Sequence, residues 1–137
     1  MKASIGEERI IELLQKGGYE FEREKSFSDF LRGRYRYDFY VHGAQPCLIE
    51  YQGQQHYEMC KLFHRTRSNF LAAQERDRKK ISYALAHNIP LYIIPYWELP
   101  KFTFAGDLFD SKYLAKSRWK NDEDWHNYKN LTNHLEI

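Results

Sequence analysis

The sequence predicts an α/β fold in which helices flank a mixed β-sheet, with the core element order α-β-β-β-α-β. Three observations support it. Two stretches with amphipathic helical periodicity, 5–16 and 67–87, lie far apart in the chain. Three strand-like segments lie between them, and a short apolar segment at 91–94 follows the second helix. A strand reached through a helical crossover adds in parallel, so the sheet should contain antiparallel and parallel pairs.

Sequence signals mark the start and end of the first helix. Ser4 is a suitable N-cap, and Glu7, three residues later, suits the return bond of a capping box. Gly17 and Gly18 then stop the helix. Residues 19–23 alternate aromatic and charged side chains, which predicts a half-buried first strand.

A β-hairpin is predicted next. Residues 35–41 are rich in aromatic side chains, and residues 47–52 form a more buried apolar run. The segment 42–46 contains glycine and proline, so the two strands should turn there and pair antiparallel. We interpret the polar residues 54–66 that follow as an active-site loop.

The second long helix carries an apolar side and ends at Asn88-Ile89-Pro90. That side is formed by Phe70, Ala73, Ile81, Ala84 and Leu85. The tail from Trp97 onward has no clear long period, and short helices are predicted near 107–116 and 121–135.

Length and composition fit one globular domain. The chain has 137 residues, 42% of them hydrophobic, and we expect a core at about 5–97 with a C-terminal extension at about 98–137. No apolar run reaches the length of a membrane span and no signal-peptide pattern opens the chain, so we expect a soluble, cytoplasmic protein. Cys47 and Cys60 form no CxxC and indicate no disulfide framework.

Acidic residues occur where buried side chains are expected. Asp38 interrupts the aromatic run of the second strand, and Glu50 ends the apolar run of the third. A buried carboxylate is costly unless it is paired or binds a metal, and two on adjacent strands repel each other unless a cation lies between them. By helical spacing, Glu7 and Asp77 fall on the apolar faces of their helices. Such a set of oxygen ligands suits Mg²⁺ or Mn²⁺.

Each acid also has a simpler explanation. Glu7 could act only in helix capping, and Asp77 could pair with Arg76 or Lys80 on its own helix. We favour a metal site because the simpler explanation requires four separate coincidences.

Three further side chains could assist such a site. Gln52 should share a strand side with Glu50 and could hold a water or a phosphate oxygen. His56 follows a glycine turn and could act as a general base. Lys80 lies one turn beyond Asp77 and could supply positive charge.

A competing constellation lies just after the third strand. His56, Cys60 and His64 have successive four-residue spacings and could bind zinc if the segment were helical, with Cys47 as the fourth ligand. This spacing is not a common structural zinc pattern, so we rank it below the carboxylate site.

Positive charge is concentrated in residues 61–80. This segment holds seven Lys or Arg residues and two acids, and so carries +5, whereas the whole chain carries +2. A basic stripe of this kind suits a phosphate-facing surface, although charge alone fits a solvated helix face better. The candidate DNA-binding residues are Arg34, Arg36, Arg65, Arg67, Arg76 and Lys79.

Taken together, five segments resemble the PD-(D/E)XK nuclease superfamily. The resemblance covers roughly residues 5–97 and is greatest to very-short-patch-repair endonucleases and phage EDxHD homing endonucleases. Its most specific part is the strand, glycine and histidine stretch. The segments are Gly6-Glu7, Arg36-Tyr37-Asp38-Phe39-Tyr40, Ile49-Glu50-Tyr51-Gln52-Gly53-Gln54-Gln55-His56-Tyr57, Arg76-Asp77-Arg78-Lys79-Lys80 and Asn88-Ile89-Pro90-Leu91.

The resemblance implies a restriction-endonuclease-like fold and a role for each matching residue. Glu7 resembles the first-helix acid, Asp38 the central metal-binding aspartate and Glu50 the second acid. His56 resembles the EDxHD histidine, and Asp77 resembles the last acid. Asp38 and Glu50 would hold Mg²⁺ (or Mn²⁺), which would polarise the scissile phosphate and lower the pKa of a bound water.

The implied activity is metal-dependent hydrolysis of DNA by a homing, nicking or junction-cleaving enzyme of phage or mobile-element type. The implied partner is DNA, and no membrane is involved. The short chain shows no separate DNA-reading domain. A long-site homing enzyme is therefore disfavoured unless the chain is the catalytic part of a larger protein or works as a homodimer.

Two positions depart from the superfamily pattern. Tyr37 stands before Asp38 where the pattern has proline, and Gln52 stands where it has lysine. Because an amide carries no positive charge, the alternative is a catalytically weak or inactive DNA-binding module with a nuclease fold.

Overall fold

In the computed structural model, which describes residues 3–53 and 67–116, four strands form one mixed sheet in the order β1-β2-β3-β4. The predicted element order and the mixed sheet are confirmed. The elements are α1 (Ile5–Lys16), β1 (Phe21–Ser26), β2 (Arg36–Val41), β3 (Cys47–Gln52), α2 (Arg67–Ala86) and β4 (Leu91–Pro95).

The strand pairing follows the chain connections. β1 and β2 are antiparallel, and so are β2 and β3, which confirms the predicted hairpin. β4 joins β3 in parallel after the α2 crossover, with Glu50 opposite Ile93. β1 begins two residues later and ends three residues later than predicted.

Helix α1 has the predicted limits and the predicted cap. The Glu7 amide donates to Ser4 Oγ at 3.2 Å, and the Ser4 amide donates to Glu7 Oε1 at 3.4 Å. These reciprocal bonds satisfy two amides that the first helical turn leaves unpaired. The helix buries Ile10 and Leu13 against the sheet.

The sheet has one apolar cluster on each face. Phe39 and Ile49 pack with α1 on the first face, whereas Leu48 packs with Ile81 and the rest of the α2 cluster on the second. Since side chains alternate along a strand, the residue two positions after Leu48 also faces α2. The carboxyl group of Glu50 is thereby directed toward that helix.

The buried stripe of α2 changes character along the helix. Ile81 and Ala84 are buried near its C-terminal end, but the equivalent positions closer to its start are Gln74 and Asp77, which are also buried. Asp77 therefore shares the buried face with Ile81 and Ala84, as its spacing predicts. The polar half of the stripe lies where the sheet carries its own buried polar side chains.

The tail contains short 3-10 helices, two of which lie near the short helix predicted at 107–116. These turns span Leu99–Lys101, Ala105–Phe109 and Ser111–Tyr113. Aspartates cap the starts of the second and third of these turns, because Asp107 accepts from the Thr103 amide at 2.8 Å and Asp110 accepts from the Lys112 amide at 3.1 Å.

The tail also covers the sheet. Its last described segment lies along the edge of β4, where the Ala115 amide donates to the Leu91 carbonyl at 2.7 Å.

No helix within residues 3–53 and 67–116 is long and apolar enough to cross a membrane. The predicted helix at 121–135 and the predicted loop at 54–66 lie outside the described residues.

Candidate active site

Asp38 and Glu50 meet where β2 and β3 separate. The backbone pairing of the hairpin ends at Phe39 and Ile49. Just beyond this pair, the backbone amides of Asp38 and Tyr51 donate to side-chain carboxylates and not to main-chain carbonyls. The Asp38 amide donates to Glu50 Oε2 at 2.8 Å, and the Tyr51 amide donates to Asp38 Oδ2 at 2.8 Å. Both carboxylates are thus held by main-chain N–H groups at a fixed place in the sheet.

Lys80 joins this pair from helix α2. Its ammonium forms an ion pair with Glu50 Oε1, and only 15% of the Lys80 side chain is exposed, against 8% of Glu50. The predicted partnership of Lys80 with the site on the strands is therefore present in the structure. The simpler explanation for Asp77 was a pair with Arg76 or Lys80 on the same helix. The charge of Asp77 does raise the pKa of Lys80, although less than those of Glu50 and Asp38.

The cluster contains more negative charge than positive charge. Burial raises the pKa of Asp38 well above its usual value and the charge of Glu50 raises it further, while Lys80 acts in the opposite direction. For Lys80, burial alone would lower the pKa, but the nearby Glu50 and Asp38 carboxylates outweigh it and the pKa is raised. The ammonium of Lys80 thus acts on two neighbouring carboxyl groups, one of which, Glu50, is its ion-pair partner.

One neutral side chain, Gln52, and one acidic side chain, Asp77, border the cluster. Gln52 is 2% exposed and shares its strand side with Glu50. Asp77 is 7% exposed and lies three residues before Lys80, with Gln74 one further turn back. The sequence did not single out Gln74, although its three-residue spacing from Asp77 places it on the same helix face.

Glu7 occupies a different position from the one expected. Besides capping α1, its Oε2 accepts from the Arg23 guanidinium at 3.2 Å, and its charge raises the pKa of Tyr51 after the larger effect of burial. Tyr51 packs on the α1 face of the sheet, whereas Glu50 faces α2. Within the described ranges, no three acidic, histidine or cysteine side chains come together as a metal-binding group.

Tyr37 is a site residue that pattern reasoning missed. It is fully buried, its hydroxyl donates to the Lys80 carbonyl at 2.6 Å, and its ring centroid lies 5.2 Å from Lys80 Nζ. The aromatic composition of this strand suggested packing only. The available signal in the sequence was that a tyrosine, and not the proline of the PD-(D/E)XK pattern, precedes Asp38.

The candidate DNA-binding residues that can be placed are exposed or partly exposed. They are Arg34, Arg36, Arg76 and Lys79. The Arg36 guanidinium is 3.6 Å from Glu24, and Lys79 lines a groove together with Leu31, so this helix face adjoins the loop that leads into β2. Arg67 begins α2, but its side chain is not among those described, and Arg65 lies outside the described residues.

The histidine and the alternative zinc ligands cannot be placed in the site. His56, Cys60 and His64 lie outside the described residues. Cys47 is buried in the apolar cluster on the α1 face, and burial raises the pKa of its thiol to about 11. It also begins β3, about 16 Å of extended strand from Gln52 at the other end. Both facts weigh against Cys47 as a partner for residues that follow β3.

In comparisons with known proteins, no protein-family model, curated protein or solved structure matches the chain at a significant level.

Proposed function

We propose that this protein is a metal-dependent DNA endonuclease that hydrolyses phosphodiester bonds at the Asp38, Glu50 and Lys80 cluster. One observation carries the proposal. Two carboxylates, of which Glu50 is buried and Asp38 half-buried, are bonded by main-chain amides at the point where a hairpin opens, and the half-buried ammonium of Lys80 accompanies them. A core that only had to be stable would be better served by apolar side chains at these positions.

The donor chemistry of this cluster fits Mg²⁺ or Mn²⁺. Both cations prefer carboxylate oxygen, and Asp38 and Glu50 supply it from adjacent strands. Burial and the charge of Glu50 are the main causes of the raised pKa of Asp38. A bound cation would offset both causes, because it stabilises the charged form of a carboxyl group. Asp38 and Glu50 are therefore the residues that would hold the metal.

The metal, when bound, would supply Lewis acidity toward the scissile phosphate and toward a water. The chain's own residues have separate tasks. Lys80 would place its ammonium near the charge that develops on the phosphate, and the Gln52 amide would orient a water or a phosphate oxygen. Basic residues of α2, with Arg76 and Lys79 among them, would hold the DNA backbone.

Lys80 also supplies the kind of charge that Gln52 lacks. The superfamily pattern that the sequence resembles has a lysine two residues after the second acid, and this chain has glutamine there. In the structure, an ammonium reaches the same carboxylate from α2. We infer that the positive charge of the site is supplied by the helix and not by the strand.

A second function, a DNA-binding module without catalysis, has one observation in its favour. The Lys80 ammonium already occupies Glu50 Oε1, and a permanent ion pair would compete with a metal for that oxygen. The two functions differ in whether divalent metal binds and whether DNA is cut.

The test incubates the purified protein with supercoiled, linear, nicked, mismatched and four-way DNA in Mg²⁺, Mn²⁺ or EDTA. Cleavage that needs metal and is lost in Asp38→Asn and Glu50→Gln supports the endonuclease. Glu20→Gln is the matched control, because it makes the same chemical change at an exposed position. DNA binding without cleavage in any metal would instead support the binding module.

A further inference from the structure

Tyr37 contacts Lys80 at both ends of the lysine. The Tyr37 hydroxyl donates to the Lys80 main-chain carbonyl at 2.6 Å, and the Tyr37 ring centroid lies 5.2 Å from Lys80 Nζ. The first contact fixes the backbone of α2 at Lys80. The second places the ammonium within the range at which an aromatic face attracts a cation.

Tyr37 lies at the second position of β2, directly before Asp38. Phe39 packs with the α1 cluster and Tyr40 with the α2 cluster, as alternation requires. Tyr37 should then face α1, yet it packs with the α2 cluster. The next residue is Asp38, whose amide bonds to the Glu50 side chain. On β2, Tyr37 is therefore the immediate neighbour of the carboxylate pair.

Lys80 requires such support because its side chain is long and flexible. A lysine has four rotatable bonds and loses more conformational freedom on burial than most residues. Glu50 provides an electrostatic partner but contacts only the ammonium. Tyr37 contacts both ends of the residue, through its hydroxyl at the main-chain carbonyl and through its ring at the ammonium.

We propose that Tyr37 is a positioning residue that holds the Lys80 ammonium against Glu50. Its effect on the conformation of Lys80 does not depend on what the protein does, whereas its effect on cleavage rests on the proposed function. The competing explanation is simple core packing, because Tyr37 also contacts Phe27 and Phe30 at ring distances of 5.9 and 6.2 Å.

Two substitutions separate these explanations. Tyr37→Leu removes the ring face and the hydroxyl, and Tyr37→Phe removes the hydroxyl alone. Tyr83→Phe is the matched control, because Tyr83 belongs to the same aromatic group but its hydroxyl donates to Asp29 at 2.6 Å and not to Lys80.

The primary readout is NMR of the full chain with ¹³Cε-labelled lysine, in EDTA and without DNA, with the Lys80 signal assigned by Lys80→Arg. In wild type and Tyr83→Phe we expect the Lys80 ε-methylene signals to be shifted upfield by the ring and to have an order parameter near ~0.8. In Tyr37→Leu we expect the upfield shift to vanish and the order parameter to fall below ~0.6. Tyr37→Phe should keep the shift and lose part of the order.

Cleavage provides the second readout. We expect Tyr37→Leu to lower kcat about three- to thirtyfold with KM little changed, since the DNA-contacting surface is untouched. A wild-type protein that cuts no DNA while Lys80 responds as described would contradict the proposed function and leave the positioning role supported.

Two results would overturn the positioning role. One is a wild-type Lys80 signal without an upfield shift, which needs no variant to fold. The other is a folded Tyr37→Leu protein whose Lys80 signal and kcat match those of wild type. If Tyr37→Leu fails to fold, Tyr37→Phe carries the comparison because it preserves the packing volume.

Discussion

Asp38 is a carboxylate that the folded protein keeps at an energetic cost. Burial raises its pKa well above the usual value, and the Glu50 charge adds to this effect. Each unit of such a shift corresponds to about 1.4 kcal/mol between the two protonation states. Residues that destabilise the fold in this way are concentrated at functional sites, so stability itself can test whether Asp38 is there for function.

We expect Asp38→Asn to raise the free energy of unfolding at pH 7.5 by about 1 kcal/mol or more. The asparagine oxygen can still accept from the Tyr51 amide, while the repulsion of Glu50 is removed. Urea unfolding monitored by circular dichroism measures the change, with Glu20→Gln expected to stay within about 0.5 kcal/mol of wild type. A less stable Asp38→Asn protein would show that the charge of Asp38 supports the fold.

The same substitution should change how stability depends on pH. Because the folded-state pKa of Asp38 is raised, the folded protein binds this proton more tightly than the unfolded chain does. The stability linked to it is complete below the ordinary carboxyl pKa of about 3.9 and is lost as pH rises through the folded-state pKa. We therefore expect the difference between Asp38→Asn and wild type to grow from pH 4 to pH 8. A difference in unfolding free energy that stays constant across this range would contradict the assignment.

Single residues were predicted from the sequence with uneven success. Asp38 and Glu50 could be selected because charge in an apolar pattern is energetically unusual, and Lys80 because it lies one helical turn beyond Asp77. Tyr37 could not, since a tyrosine in a strand fits ordinary packing, and its contact with Lys80 depends on residues 43 positions away in the chain. Glu7 fitted both a cap and a site acid, and only the cap could be deduced from local spacing.

Helix α1 and strand β3 meet at a glycine. A Cβ atom on Gly6 would lie 2.2 Å from Cζ of the Tyr51 ring, so the helix can lie this close to the strand only because residue 6 lacks a side chain. Tyr51 also donates its amide to Asp38. The packing of α1 is thus connected to the carboxylate pair through one residue.

We expect Gly6→Val to lower the free energy of unfolding by about 2 kcal/mol, since the added side chain must displace the Tyr51 ring or the start of the helix. Gln15→Val introduces the same residue at an exposed position of the same helix and should cost well under half as much. Chemical denaturation of the two variants provides the comparison. Equal decreases in stability would mean that Gly6 is not required for this close approach.

Regular elements were the most predictable part of the fold. Helix periodicity, caps and strand composition gave α1 and β3 with their observed limits, and α2 to within one residue. The tail was predicted only as short helices, and their 3-10 form and exact limits depend on side chain to backbone bonds of Asp107 and Asp110 and on packing against the sheet. Helix propensity summed over a window contains no information about such bonds.

At the scale of the whole molecule, the proposed function requires one side of the surface for DNA. Lys79 is exposed on α2 and borders the same groove as Leu31, which lies in the loop before β2 close to Arg34. Lys16 is 73% exposed at the end of α1 and borders a different groove. The small net charge of +2 therefore leaves room for a local basic surface.

DNA affinity should depend on salt through this surface. We expect Arg34→Gln with Lys79→Gln to reduce the slope of log K against log salt by about 2, because each phosphate that is no longer neutralised releases about one counterion fewer. Lys16→Gln should leave the slope unchanged. Fluorescence anisotropy with a labelled duplex, in Ca²⁺ to limit cleavage, measures both slopes. A larger effect of Lys16→Gln would place the DNA on the other side of the molecule.

The most direct measurement of the central claim is the rate at which supercoiled plasmid is converted to nicked or linear DNA in Mg²⁺. We expect metal-dependent conversion by wild type and by Glu20→Gln. In Asp38→Asn, we expect a rate lower by about 10²-fold or more, although that protein should be at least as stable as wild type. Conversion that persists in Asp38→Asn, or that does not require metal in wild type, would contradict the assignment of the active site to Asp38 and Glu50.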